Sequence, residues 1–170
     1  MLLPELHRLL IVEDEPELRF LLKESLSRLA LEIHLAEDGE QAFEMAMLER
    51  YDAILTDISL PKMTGTDFFE KLRQHHVQVP IVFLTASGDK DNLLRCLRLG
   101  AFDFIERPFQ IDSLIQVVKK AIEVGSTQHR VEEMKFKVFH KIGDLDPQAI
   151  QEIQKQEQFI HKRRVENSKR

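Results

Sequence analysis

Apolar residues along this chain fall into short continuous runs separated by stretches with a helical period. Four runs are clear: RLLIVED (8–14), YDAILTD (51–57), VPIVFLTA (79–86) and AFDFIERP (101–108). A weaker one, EIHLAED (32–38), alternates as a half-exposed strand does. Between the runs Leu18, Leu21, Leu22, Leu26 and Leu29 share one helical stripe. Ala42, Met45 and Ala46 repeat it, as do Leu93, Leu94 and Leu97, and then Leu114, Val117, Val118 and Ala121. Continuous apolar strands alternating with helices predict a parallel sheet covered on both faces. The order is strand then helix, five times, ending near Val124.

Beyond that point the pattern changes. Gly125, Ser126 and Thr127 interrupt the helical period and read as a domain boundary. Val131, Met134, Val138 and Leu145 then fall near heptad a and d spacing, with Phe139 and Ile142 beside them, which predicts a helix over about 128–142. Gly143 stops it, and Asp146-Pro147 reads as the cap and first position of another helix reaching into the 160s. The terminal HKRRVENSKR is expected to fray. Residues 1–125 thus form one domain and 126–170 a helical extension. Two helices without a third cannot close a core of their own. They pack on the domain, on a second copy, or on a partner.

With 43% hydrophobic residues in 170, the main domain can bury a real core. The single cysteine, Cys96, excludes an internal disulfide and a cysteine metal cluster, and points to a reducing compartment. Glu5 stands among the first apolar residues, and no apolar run approaches the roughly 18 residues of a membrane span, so a soluble, cytoplasmic protein is expected. The net charge of -5 is unevenly spread. Residues 1–125 hold 22 acidic against 14 basic side chains, whereas 126–170 hold 7 against 10, so the body is acidic and the tail basic.

In a doubly wound parallel sheet, ligands bind in the crevice beyond the carboxyl ends of the strands. There this chain places Glu13 and Asp14 after the first run, Asp57 after the third, Thr85 after the fourth and Arg107 after the fifth. Three carboxylates gathered at one edge are costly unless a cation joins them, and hard oxygen donors with water access suit Mg²⁺. A hydroxyl at Thr85 and a cation at Arg107 are what a phosphoryl group accepted by Asp57 requires. Plainer roles compete with this reading. An aspartate before a Pro/Gly loop ordinarily ends a strand and starts a turn. Thr85 alone is a strand former, Phe104 alone a core residue, and Met45, Met47, Met63 and Cys96 are packing. The seven histidines show no metal-ligand spacing. The register of Glu13, Asp14 and Thr85 with Asp57 is what favours chemistry.

The stretches LLIVEDEPELR, YDAILTDISLPKMTG, VPIVFLTASGD and GAFDFIERPF, in that order over about residues 7–125, resemble the receiver domain of bacterial two-component response regulators. The resemblance implies a flavodoxin-like, doubly wound five-stranded α/β sheet of order 2-1-3-4-5, here carrying two C-terminal helices. It implies Asp57 as acceptor of a phosphoryl group from a histidine kinase, a phosphotransfer protein or a small phosphodonor. Asp14, Asp57 and the Ser59 carbonyl would hold Mg²⁺, with Glu13 acting mainly through water. Ile58, Ala86 and Arg107 would bind phosphoryl oxygens, and Thr85 with Phe104 would form the switch.

Two positions depart from the family pattern. Arg107 stands where the family has lysine, and a guanidinium is planar and longer than the point-like ammonium. Glu13 replaces the commoner aspartate but keeps the carboxylate. Ser59 and Ser87, where the family tunes dephosphorylation, are small. The expected output is a contact with a downstream protein, and a homodimer through the extension or the face of the fourth helix, fifth strand and fifth helix. Neither enzymatic turnover nor a membrane is expected. One alternative is a degenerate receiver, a phosphate-independent interaction module. Another is a transcription regulator with its basic tail on DNA, weakened because no aromatic residues interleave the charges. A phosphohydrolase of the haloacid dehalogenase type wants a second aspartate two residues after the nucleophile, where Ser59 stands. A flavodoxin-like carrier wants a phosphate cradle where EDEPELR places carboxylates.

Overall fold

The computed structural model describes residues 7–29, 32–86 and 90–142. Ser87, Gly143, the helix expected from Asp146-Pro147 and the basic tail lie outside them. The five apolar runs form β1 (Arg8–Val12), β2 (Glu32–Ala36), β3 (Ala53–Asp57), β4 (Ile81–Thr85) and β5 (Asp103–Glu106). All four pairings are parallel, in the order β2-β1-β3-β4-β5 across the sheet, which is the expected doubly wound arrangement. The helices are α1 (Pro16–Leu26), α2 (Gly39–Leu48), α3 (Gly65–Gln74), α4 (Lys90–Arg98) and α5 (Ile111–Ile142).

Local chemistry starts these helices where the strands end. Pro16 opens α1 with a fixed φ and no amide to satisfy. The Asp38 carboxylate caps α2 by accepting from the Gln41 N–H at 2.8 Å, and the Thr64 hydroxyl caps α3 by accepting from Asp67 N–H at 3.1 Å. Each strand's alternating side chains then divide between two cores. Leu10, Val12, Ile54, Ile81 and Phe83 pack with Ala42 and Ala46 of α2, Phe68, Phe69 and Leu72 of α3, and Cys96 of α4. Leu9, Ile11, Ala53, Leu55, Val82, Leu84 and Ile105 face the other way, onto Leu22 and Leu26 of α1 and Leu114, Val118, Ala121 and Ile122 of α5.

Three expectations from the leucine stripes need correcting. Leu21, Leu94 and Leu97 are exposed. α1 turns Leu22 and Leu26 fully inward, and α4 fully buries Cys96, whose Sγ lies 3.6 Å from the Thr66 hydroxyl of α3. Short helices bury a narrower face than their apolar spacing suggests.

The interruption expected at Gly125–Thr127 is also corrected, because α5 runs without a break from Ile111 to Ile142. The Ser126 and Thr127 hydroxyls donate back to the Glu123 carbonyl at 3.2 and 2.7 Å, which spends their turn-forming capacity inside the helix. Gly125 has a packing reason to be there: a Cβ at this position would lie 1.8 Å from the Asp52 carbonyl oxygen. The chain divides into two compact units, Met1–His129 and Arg130–Arg170. In the second, Val131, Met134 and Val138 are exposed. No helix among the described residues is long and apolar enough to cross a membrane.

Candidate functional site

The pairing register sets the site. Val12 pairs with Thr56, Asp57 with Leu84, and Thr85 with Glu106, so Glu13, Asp57, Thr85 and Arg107 end their strands along one edge. The turn after β1 is held by Arg19 of α1, whose Nη1 donates to the Glu13 carbonyl at 2.5 Å and the Asp14 carbonyl at 3.2 Å. On the β3 side the chain folds back at once: the Gly65 N–H donates to the Ile58 carbonyl at 2.9 Å. This return is so close that a Cβ on Gly65 would lie 2.0 Å from the Asp57 carbonyl oxygen. Only glycine fits there.

Glu13, Asp14 and Asp57 converge, each offering a carboxylate oxygen within 4.8 Å of the others. Glu13 and Asp57 are buried and Asp14 is exposed. Arg107 reaches into this group with one nitrogen, its Nη2 lying 2.7 Å from Glu13 Oε2 and 3.2 Å from Asp57 Oδ2. Its backbone N–H donates to the Thr85 carbonyl at 2.8 Å, which anchors the arginine's main chain to the end of β4. The Asp57 Oδ1 accepts from the Ser59 N–H at 3.3 Å, and Glu13 Oε1 from the Glu15 N–H at 3.2 Å. Among the described residues Arg107 Nε is buried without a hydrogen-bond partner.

Burial governs the electrostatics. It pushes the Glu13 carboxyl up to about 7, against the opposing pull of the Glu15 N–H and the Arg107 guanidinium. Burial also raises Asp57 above the ordinary aspartate value, opposed by Arg107 and by the N–H groups of Ser59 and Ile58. At both acids the cost of burial outweighs the attraction of the Arg107 guanidinium. The donor set fits magnesium, being hard carboxylate oxygens with water access at Asp14.

The remaining expected residues lie on β4, on β5 and in the turns that follow β3 and β4. Thr85 is buried, and its hydroxyl donates to the Ala86 carbonyl at 3.2 Å. The Ile58 N–H donates to the Leu84 carbonyl at 3.2 Å, and Ala86 is exposed beside it in sequence after β4. Phe104 is 40% exposed on β5, turned out of the core. Sequence reasoning overlooked Arg19 and the pairing of Lys62 Nζ with Asp38 Oδ2 at 2.5 Å, which ties the loop after β3 to the start of α2. The only sequence signal for Arg19 was a basic residue on the first turns of the helix that follows the acid pair.

A five-stranded parallel sheet of order 2-1-3-4-5 with an acid pocket at its carboxyl edge defines a doubly wound α/β domain. The response regulator receiver domain model matches residues 9–119, and the chain belongs to that family. It is 42% identical over 113 residues to the transcriptional regulatory protein SrrA of Staphylococcus aureus, a match covering 66% of this chain and 46% of SrrA. The chain thus spans about half the length of the curated relatives it matches. Among solved structures it is similar to the receiver domain of a putative Luxo repressor protein from Vibrio parahaemolyticus, with TM-score 0.70 and 28% identity over 75% of this chain and 98% of that one. It is similar too to the chemotaxis response regulator CheY4 of Vibrio cholerae, with TM-score 0.62 and 25% identity over 68% and 98% of the two chains.

Proposed function

We propose that this receiver domain is a phosphorylation switch in which Asp57 takes a phosphoryl group from a histidine kinase or phosphotransfer protein of the cytoplasm. The observation that carries the reading is the Asp57 carboxylate itself, set at the end of a fully buried strand beside Glu13, Asp14 and Arg107. An Asp57 oxygen forms the new P–O bond as the bond to the donor breaks, and the electron pair leaves with the donor. Asp14, Asp57 and the Ser59 carbonyl would hold magnesium, with Glu13 acting mainly through water, and the ion would supply charge neutralisation for that transfer. Arg107 faces the oxygen that reacts, and the Ser59 N–H orients the other. Thr85 then exchanges its bond to the Ala86 carbonyl for a phosphoryl oxygen, which opens space toward which Phe104 turns. The output is a protein contact on the face of α4, β5 and α5, with self-association there or through the extension as its form.

Ser59, where a phosphohydrolase would need a general acid, supports a signalling role over turnover. The test is acetyl phosphate or beryllofluoride with Mg²⁺, followed by intact mass and amide chemical shifts. Wild type should gain one phosphoryl group and shift resonances around Thr85 and Phe104, and Asp57→Asn should do neither. A wild type that does not respond at millimolar Mg²⁺ overturns the reading in favour of a phosphate-independent interaction module.

A further inference from the structure

Arg107 occupies a place that a metal ion would also want. Its Nη2 touches two of the three acids of the pocket at once, Glu13 at 2.7 Å and Asp57 at 3.2 Å. A single nitrogen centred between two carboxylates is the position a bound cation takes. We propose that Arg107 is the resident counter-cation of this pocket and competes with the divalent ion, so that the ion loads only as the guanidinium releases Glu13.

Three observations support this. Glu13 is buried to 1% exposure and Arg107 is its cationic contact, so the pocket without a divalent ion depends on that bridge. The arginine's main chain is fixed by the bond from its N–H to the Thr85 carbonyl, so release is a side-chain rotation and needs no movement of the sheet edge. The bridging pose also leaves a donor unused. Nε and Nη2 lie on the same edge of the guanidinium and normally serve one oxyanion together. Here Nη2 is shared between two acids while Nε is buried with no partner among the described residues. A pose turned wholly toward an oxyanion on Asp57 satisfies both nitrogens and frees Glu13 to face the ion. The side chain thus has two arrangements, and divalent ion and phosphoryl group both favour the second.

The inference rests on the proposed function only for the nature of the ion, and its test needs no phosphodonor. Titration of the full chain with Mg²⁺ is followed at the Arg107 Nε–H resonance by ¹⁵N NMR, with Mn²⁺ affinity measured by water-proton relaxation on wild type, Arg107→Met and Arg98→Met. The Arg107 signal should move together with the Asp57–Ser59 amides, and Arg107→Met should bind Mn²⁺ at least about fivefold tighter than wild type. Arg98→Met, which removes an exposed charge on α4, should change affinity less than twofold. An Arg107 signal that stays still while those amides saturate overturns the inference, as does an Arg107→Met protein with wild-type affinity. The NMR arm uses wild type and does not depend on the variant folding. Competition intact with no phosphoryl uptake at Asp57 would instead overturn the proposed function alone.

Discussion

Both edges of the sheet carry clusters of charge, and they are built differently. At the amino edge the polar groups are partnered. Arg8 pairs with Glu32 at 2.8 Å and Glu49 at 2.7 Å, and its N–H donates to Asp52 Oδ2 at 2.8 Å. Asp52 also meets His129 of α5 at 3.2 Å and His7 at 3.7 Å, while His34 bonds to the Tyr51 hydroxyl at 2.8 Å. At the carboxyl edge three acids gather around one guanidinium, and a buried donor goes unused. A cluster whose donors and acceptors balance holds structure together, whereas one that gathers buried acids and keeps a buried donor unused is poised to take something in.

The contrast predicts opposite phenotypes for two aspartates. Replacing Asp57 with Asn should abolish phosphoryl uptake and the response to beryllofluoride completely, with melting temperature equal to or above wild type, because a buried acid is removed from an acid-rich pocket. Calorimetry and intact mass check both halves; a marked fall in melting temperature would erase the distinction between the edges. Replacing Asp52 with Ala should do the reverse. It leaves the Arg8 N–H and two histidines without their acceptor, at a cost of about 2–3 kcal/mol in urea unfolding, with phosphoryl uptake unchanged.

A smaller effect is expected at Asp38, which belongs to neither edge's cluster. Its carboxyl is held below the ordinary value by the Gln41 N–H and by Lys62. A depressed acid contributes stability above its unfolded value and loses it as pH falls through its folded one. Asp38→Ala should therefore cost about 1 kcal/mol at neutral pH, with the difference from wild type closing in acid. Least of all should come from the solvent-exposed Arg95, which pairs with Asp67 at 3.0 Å and with Glu70. Arg95→Met should shift stability by no more than about 0.5 kcal/mol, and less in high salt.

Much of this was legible before any coordinates. Strand ends can be read from continuous apolar runs, and Glu13, Asp14, Asp57, Thr85 and Arg107 stand at those ends in the chain itself. Their strand order came only through resemblance, because periodicity carries no information on which strands pair. What escaped reading depended on distant partners. Gly125 looked like a break because glycine disfavours helix locally, yet it is required by a carbonyl 73 positions earlier, at Asp52. Nothing near Asp52 in the chain announces its partner His129. Leu94 and Leu97 looked inward because apolar spacing reports a face without saying how much of it the fold covers.

Gly65 shows how far chemistry can extend beyond the groups that perform it. With any larger residue there, the loop leaving β3 would have to lift from the Asp57 backbone. The Ser59 amide that steadies the Asp57 carboxylate lies within that loop and would lift with it. A residue with no side chain thereby sets the aim of the Asp57 carboxylate, and alanine at position 65 should blunt the proposed phosphoryl uptake while every ionisable group of the pocket is still present.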